Sequence, residues 1–148
     1  SVWSLSLIPK QSGLIIFIAC GIVVFGIFMG KSVFMGDFYH TQGNLALMKG
    51  KIKQAQYAFT EGNKQTPWEE NNIVQLIRIH LLEKNYTQAT LLSDQILSKQ
   101  PYLFTARLYR AQAHSALGNK QAAKEDVRFV LRFAPYLPDA NMYREWLK

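Results

Sequence analysis

The 148-residue chain has few side chains of a type and spacing that could carry out chemistry. His80 and His114 lie 34 positions apart, and Cys20 is the single cysteine. The sequence contains no HExxH, CxxC or GxSxG pattern and no glycine-rich loop of the phosphate-binding type. We therefore predict no catalytic residue, no metal site and no cofactor, and one cysteine excludes an internal disulfide.

The elements that carry these residues recur with a period of 34 positions. Helix-ending prolines, small alanines and turn residues all follow this spacing without an insertion. They are Pro67, Pro101 and Pro135; Ala55, Ala89 and Ala123; and Gly50, Lys84 and Gly118. A fixed period of this length on a helix–turn–helix unit is typical of a solenoid. No stretch alternates apolar and polar residues over any length, so we predict an all-α protein.

Seven helices are predicted in the repeat region from the apolar spacing and the turn residues. Asp37 suits the N-cap of the first helix, which we expect to be separate from the apolar stretch before it. Gly50, Asn85 and the pair Gly118-Asn119 suit the left-handed conformation that helix ends need. The predicted helices lie at about 37–49, 52–65, 70–83, 87–98, 104–116, 121–133 and 138–147.

The 34-residue unit resembles the tetratricopeptide repeat (TPR). That family places a small residue within each helix of a pair, and Gly43 and Ala111 fit the first helix as the recurring alanines fit the second. Ile77 and Ser93 depart from the pattern in the middle repeat. The resemblance implies three repeats at 36–69, 70–103 and 104–137. We expect 138–148 to form a capping helix for the last apolar surface. Its inward side chains would be Met142, Tyr143, Trp146 and Leu147, and its outward ones Asp139, Arg144 and Lys148.

The two histidines occupy equivalent places in successive repeats. The resemblance implies a packed aromatic side chain at that place, so we interpret His80 and His114 as packed residues. Equivalent atoms of neighbouring repeats lie about 8–10 Å or more apart, which is too far for a shared metal ion. Asn85-Tyr86-Thr87 matches a glycosylation acceptor, which matters only in a glycosylating secretory route.

Twenty uncharged residues separate Lys10 from Lys31, and their centre is the apolar run Gly13–Gly30. A helix of this length spans about 30 Å, the thickness of the hydrocarbon layer. We predict a transmembrane helix at 13–35, preceded by a loop or tail at 1–12. A cleaved signal peptide is the alternative, but the run is longer than usual and lacks a small-x-small cleavage site. Lysines on both sides leave the orientation open.

A concave groove, lined by the first helix of each pair, is implied by the resemblance as the site for a peptide partner. The predicted groove residues are His40, Asn44, Leu47, Gln75, Arg78, Leu82, Leu108, Tyr109 and Gln112. Arg78 would meet an acidic or carbonyl group, and the apolar residues would provide contacts for side chains.

Some TPR proteins grip the C-terminal carboxylate of heat-shock chaperones. Only Asn44 matches their residue set, so we disfavour that role.

The net charge is +7, and the last third of the chain is its most basic part. The predicted basic patch consists of Arg107, Arg110, Lys120, Lys124, Arg128 and Arg132. It would suit an anionic lipid surface or an acidic protein, and the alternative is an ordinary solvated face. No nucleic-acid motif is present, so we predict no nucleic-acid partner.

These features predict a membrane-anchored TPR scaffold for protein–protein interaction rather than an enzyme. We expect it to help assemble a bacterial envelope complex, with the span in the inner membrane and the repeats in the periplasm. The order of a span followed by repeats also resembles the C-terminal part of bacterial O-antigen ligases and protein O-oligosaccharyltransferases. In that alternative the repeats position the acceptor, and the catalytic residues lie upstream of this chain. The missing initiator Met leaves a fragment and a processed product both open.

Overall fold

A computed structural model describes residues 10–137 and 140–145, with side chains described over 14–137 and 143–145. Within this part the protein is helical and contains no strand, which confirms the all-α prediction. The helices are α1 (Lys10–Met48), α2 (Ile52–Gln65), α3 (Glu70–Leu82), α4 (Tyr86–Leu97), α5 (Phe104–Ala116), α6 (Lys120–Phe133) and α7 (Ala140–Glu145). The predicted tail at 1–12 lies almost entirely outside the described residues.

The helices form three antiparallel pairs, α1–α2, α3–α4 and α5–α6, that stack into a short solenoid. Each helix packs against the next one, and α3 also packs against α1 and α5. Each of the three apolar clusters combines one pair with the helix that follows it, which is α7 for the third pair. The middle cluster, for example, joins Ile77 of α3, Ile96 of α4 and Ala113 of α5. This stacking is the predicted α-solenoid.

The pairs pack closely because small residues lie where two helices cross. A Cβ built on Gly43 of α1 would lie 2.5 Å from the ring of Phe59 on α2, and one on Gly36 would lie 2.7 Å from Thr66. Between α2 and α3, a Cβ on Gly62 would lie 2.6 Å from the Asn72 amide. The absence of a side chain at these glycines therefore sets the distance between neighbouring helices.

Each first helix ends in the same left-handed turn. Gly50, Lys84 and Gly118 have φ values of 69°, 58° and 81°, at the predicted 34-residue spacing. In each turn the next residue donates its N–H to a carbonyl five positions back, as in Asn85 N–H to His80 O at 2.8 Å. This is the Schellman arrangement. The prediction for Asn85 was wrong: Lys84 takes the left-handed position, while Asn85 caps α4 by accepting the Gln88 N–H.

The apolar stretch and the first repeat helix form one uninterrupted helix. α1 runs for 39 residues, about 58 Å, so the prediction of a helix start at Asp37 was wrong. No proline interrupts the junction, and Ser32 and Gly36 are already buried on the side that faces α2. Packing against α2 therefore stabilises the helix across the expected boundary. α1 is long and apolar enough to cross a membrane, and its first half is covered by none of the described residues.

The capping helix is described over Ala140–Glu145. Tyr143 packs against Ala111, Ala123 and Val127, as predicted for an inward residue, and Arg144 is exposed. The expected side-chain positions of Asp139, Met142, Trp146, Leu147 and Lys148 lie outside the described residues. α7 thus covers the apolar surface left by the third pair.

The left-handed turns yield a first prediction on stability. Lys84→Gly is expected to raise the free energy of unfolding by about 0.5–1 kcal/mol, because glycine adopts positive φ without the clash of a Cβ. Gly118→Ala at the equivalent turn is the matched reverse change and should lower it by about 1 kcal/mol. Urea unfolding of the full chain in detergent micelles, followed by circular dichroism, measures both. Destabilisation by Lys84→Gly would contradict the strain at Lys84.

Candidate partner-binding groove

An open hollow of about 490 Å³ lies between α1 and α3, at the ends of these helices that are far from the apolar half of α1. Its lining residues are Asn44, Leu47, Met48, Ile52, Arg78, Ile79 and Leu82. Four of them belong to the predicted groove: Asn44, Leu47, Arg78 and Leu82. The structure therefore brings together four of the six groove residues predicted in the first two repeats, without His40 and Gln75.

The hollow combines apolar side chains with one available cation. Met48 is 84% exposed and Leu82 is 63% exposed, whereas Leu47 is half-buried and anchored on the core. Arg78 is exposed and makes no salt bridge or hydrogen bond among the residues that the structure describes. A guanidinium with free donors beside apolar side chains can bind a carboxylate or carbonyl together with an adjoining apolar group.

His40 contributes to packing between repeats rather than to an open surface. Its Nδ1 lies 3.3 Å from Oδ1 of the buried Asn72, and its ring lies 5.6 Å from that of Phe59. The side chain therefore links α1 to α3 and fills the space beneath the groove. A pattern of helical positions places a residue on a face but does not show whether a neighbouring helix covers it.

The predicted groove residues of α5 are also partly covered. Leu108 and Tyr109 are half-buried, and Tyr109 packs against the cluster that contains Ile73 and Ile77, whereas Gln112 is exposed. Gln75 on α3 is half-buried, and its Oε1 has no hydrogen-bond partner among the described residues. The accessible part of the groove is thus centred on α1 and α3.

The two histidines are packed differently at their equivalent places. His80 is buried and His114 is half-buried, and Nδ1 of each is inaccessible and has no hydrogen-bond partner in the described part. Burial lowers the pKa of His80, and the smaller effect of Glu83 acts in the opposite direction. Among the described residues, no group of three or more His, Cys, Asp or Glu could hold a metal ion.

The basic patch contains two arginines whose charge is neutralised inside the protein. The buried Asp126 of α6 accepts from Arg107 Nη1 at 3.0 Å, and from Arg110 Nε and Nη2 at 2.7 and 2.6 Å. Arg110 Nη1 also donates to Asp94 of α4 at 2.5 Å. These bonds, to Asp126 above all, raise the pKa of Arg110 further above its ordinary value. Arg107 and Arg110 therefore connect helices and add no free positive charge to the patch.

The remaining members of the basic patch form a stripe along one helix. Lys120, Lys124, Arg128 and Arg132 follow one another at four-residue intervals on α6. Lys120, Arg128 and Arg132 are exposed, and the Arg132 guanidinium lies 5.4 Å from the centre of the Phe133 ring. The stripe therefore runs along the length of α6 and not across one end of the solenoid.

A second hollow, which the sequence reasoning had not singled out, lies between α1 and α2 and measures about 570 Å³. Its exposed apolar residues are Phe38, Leu45 and Tyr57, and Lys49, Lys51 and Lys53 surround one end. Phe38 and Leu45 are seven positions apart on the side of α1 opposite His40 and Asn44. The seven-residue spacing of these apolar residues was the signal in the sequence for this second hollow. The same spacing also occurs on a helix face that is buried in the core, so it does not show whether the face is exposed.

Comparison with solved structures identifies the fold as that of a TPR domain. The Arabidopsis OM64 TPR domain matches with a TM-score of 0.72 at 19% identity, over 79% of this chain and 97% of that domain. The first TPR of Spaghetti (RPAP3), bound to the HSP90 peptide SRMEEVD, gives 0.71 at 21% identity, over 77% and 91%. The second TPR domain of human RPAP3, in complex with the HSP70 peptide SGPTIEEVD, gives 0.69 at 20% identity, over 81% and 98%.

These matches confirm the predicted fold. At such low identity they show the fold alone, and neither a family model nor a curated protein matches the sequence. The repeat boundaries, the groove residues and the resemblance to O-antigen ligases stay predictions.

The ion pairs of Asp126 yield a second prediction. Asp126→Asn is expected to lower the free energy of unfolding by about 3 kcal/mol, because it leaves the partly buried Arg107 without a carboxylate partner and Arg110 with only the exposed Asp94. Glu125→Gln is the matched control and should change it by less than about 0.5 kcal/mol, since Glu125 is exposed. Chemical unfolding of both variants and of the natural chain measures the two changes in the free energy of unfolding. Equal effects would show that the network does not stabilise the fold.

The burial of His80 yields a third prediction. Because its folded-state pKa lies below the unfolded value, the unfolded chain binds the proton more readily. The contribution of His80 to stability is therefore present above a pH of about 6.5 and is lost as the pH falls. Between pH 7.5 and 5.5 the melting temperature should decrease less in His80→Phe than in the natural chain. His114→Phe is the control at the equivalent position, and parallel curves for His80→Phe and the natural chain would contradict the prediction.

Proposed function

We propose that this chain is a membrane-anchored TPR scaffold that binds a segment of a partner protein in the hollow between α1 and α3. The observation that carries the proposal is the exposed Arg78, without an ion-pair partner in the described part of the chain, beside the exposed apolar Leu82 and Met48. A TPR fold with such a surface suits peptide recognition, and among the described residues no cluster of metal-ligating side chains suggests metal chemistry.

The chemistry of the hollow indicates the kind of segment that fits it. Its volume of about 490 Å³ lies within the usual range for binding pockets, about 300–1,000 Å³, and accommodates a few side chains. Arg78 would bind a carboxylate or a backbone carbonyl, and Asn44 could donate to or accept from the peptide backbone. Leu82 and Met48 would pack against an apolar side chain next to that group. The preferred partner segment is therefore short and apolar, with one acidic or carbonyl group.

Membrane anchoring is supported by the exposed apolar half of α1. The side chains from Leu14 to Phe28 face outward from the protein on every side of the helix. An apolar surface of this extent is unfavourable in water, and a bilayer would cover it. The proposed setting is a bacterial inner membrane, with the repeats in the periplasm as part of an envelope complex.

Two of the similar TPR domains were solved with peptides, SRMEEVD from HSP90 and SGPTIEEVD from HSP70. These complexes support peptide binding as the general use of the groove. They do not define the segment for this chain, because only Asn44 matches the residues expected for such peptides. SRMEEVD is therefore a suitable negative control, and we expect it to bind far more weakly than the native segment.

The site is tested by photo-crosslinking in native membranes, which is the fourth prediction. p-Benzoylphenylalanine at Leu82 should form a discrete adduct with a partner protein, because Leu82 lies in the hollow and is largely exposed. The same amino acid at Leu91 is the control, since Leu91 is similarly exposed on α4, outside the hollow. An adduct that forms at Leu91 and not at Leu82 would place the site elsewhere.

A pair of double variants tests the chemistry of the same site. Arg78→Glu with Leu82→Ser should reduce capture of the crosslinked partner at least tenfold and leave the helical circular dichroism unchanged, since both side chains are exposed. Lys53→Glu with Leu91→Ser makes the corresponding charge reversal and loss of an apolar side chain at exposed positions outside the hollow between α1 and α3, and should preserve capture. Tyr109 is unsuitable for this test because it packs against the core. Equal capture by the two double variants would contradict the proposed site.

A further inference from the structure

The path of the chain places all three proline-containing turns at one end of the solenoid. α1 enters the repeat region from its apolar half, and α2 returns beside it until Thr66 meets Gly36, where a built Cβ would lie 2.7 Å away. The pairs α3–α4 and α5–α6 repeat this course. The turns after α2, α4 and α6 therefore all lie at the end nearest the apolar half of α1.

Each of these turns presents an aromatic side chain directly after its proline. Trp68, Tyr102 and Tyr136 follow Pro67, Pro101 and Pro135, again at intervals of 34 residues. They are 45%, 62% and 78% exposed, so the solenoid core does not account for them. Trp and Tyr with an apolar ring and a polar atom are favoured at the boundary between lipid chains and water.

The level of these turns along α1 matches that boundary. The uncharged stretch of α1 ends at Lys31, and Gly36 lies five residues further, about 7–8 Å along the axis. A bilayer has a polar layer of about 5–8 Å on each side of its hydrocarbon core. Thr66 abuts Gly36, and Trp68 follows two residues later. If α1 crosses the bilayer over its uncharged stretch, Trp68 lies within this polar layer.

The turns are joined into one surface. Lys99 Nζ donates to the Pro67 carbonyl at 3.2 Å, and Gln100 Nε2 donates to the Trp68 carbonyl at 3.2 Å. Tyr102 packs edge-on against Phe133 with ring centres 5.5 Å apart. Neighbouring aromatic side chains are therefore held at a common end of the solenoid before any membrane contact is made.

The charges at this end are close to balanced. Near the turns and the boundary lie four basic residues, Lys31, Lys64, Lys99 and Arg132, the last of which is also the end of the stripe on α6, and four acidic ones, Asp37, Glu61, Glu69 and Glu70. Attraction to anionic lipids would therefore be weak, and partitioning of the aromatic rings would provide most of the affinity. This differs from the contact predicted for the basic patch, whose charged stripe runs along α6.

We propose that Trp68, Tyr102 and Tyr136 insert into the interfacial layer of the bilayer that α1 crosses, so that the solenoid rests on the membrane by its proline turns. This inference rests on the membrane anchoring proposed above. The helices then stand roughly upright and the groove runs parallel to the membrane. Met48, twelve residues beyond Gly36, and the hollow beside it lie about 18 Å above the turns, where a water-soluble partner reaches them.

Fluorescence quenching tests this arrangement in the full chain. Trp3→Phe and Trp146→Phe leave Trp68 as the single tryptophan. In phosphatidylcholine nanodiscs, lipids brominated at carbons 6 and 7 should quench Trp68 at least threefold more than they quench a tryptophan placed at Met48. The Met48→Trp control carries Trp68→Phe in the same background. Equal quenching at the two positions would overturn the proposal.

A third single-tryptophan chain separates the docking from the anchoring. Phe25→Trp, with the other tryptophans replaced by Phe, reports on the apolar half of α1 and should be quenched most by bromines deep in the bilayer. Quenching of Phe25→Trp without quenching of Trp68 overturns the docking and leaves the anchoring intact. Absence of quenching at Phe25→Trp overturns the anchoring itself. Trp68 quenching that requires anionic lipid and disappears in 0.5 M salt would identify basic side chains as the contact and overturn the aromatic one.

Discussion

The architecture depends on how closely each helix approaches the next. Gly36 and Gly43 on α1, and Gly62 on α2, occupy crossings where a methyl group would collide with the facing side chain. Left-handed turns at Gly50, Lys84 and Gly118 reverse the chain after each first helix, and the proline turns reverse it again. Reversal and close approach together impose the antiparallel order, from which the groove and the shared end of the proline turns both follow.

Because α1 is continuous, the orientation of the solenoid is fixed relative to the apolar half of this helix. A flexible linker would leave the orientation of the solenoid undefined, whereas one helix of 39 residues transmits the direction of its apolar half to the first repeat. Packing of α2 against Gly36 further stiffens the region where the two halves meet. With the apolar half anchored as proposed above, a rigid α1 would specify the direction of the groove relative to the membrane.

Charge in the primary sequence is a poor guide to charge on this surface. The last third of the chain is the most basic, yet Arg107 and Arg110 are bound to the buried Asp126, and Arg110 also pairs with Asp94. These contacts join α4, α5 and α6 through charge-assisted hydrogen bonds in a partly dry site. Arg78, which belongs to no basic cluster in the sequence, is by contrast the cation available in the groove.

Local patterns determined the helix count of each pair, the period of 34 and the apolar span, because helix stop signals and side-chain spacing act over a few residues. Tertiary packing decided the rest. It extended α1 through Asp37, covered His40 and Tyr109, and paired Asp126 with two arginines of another helix. Each outcome depends on which side chain a neighbouring helix brings within a few ångströms. A sequence pattern shows the face on which a residue lies, and the structure shows what covers that face.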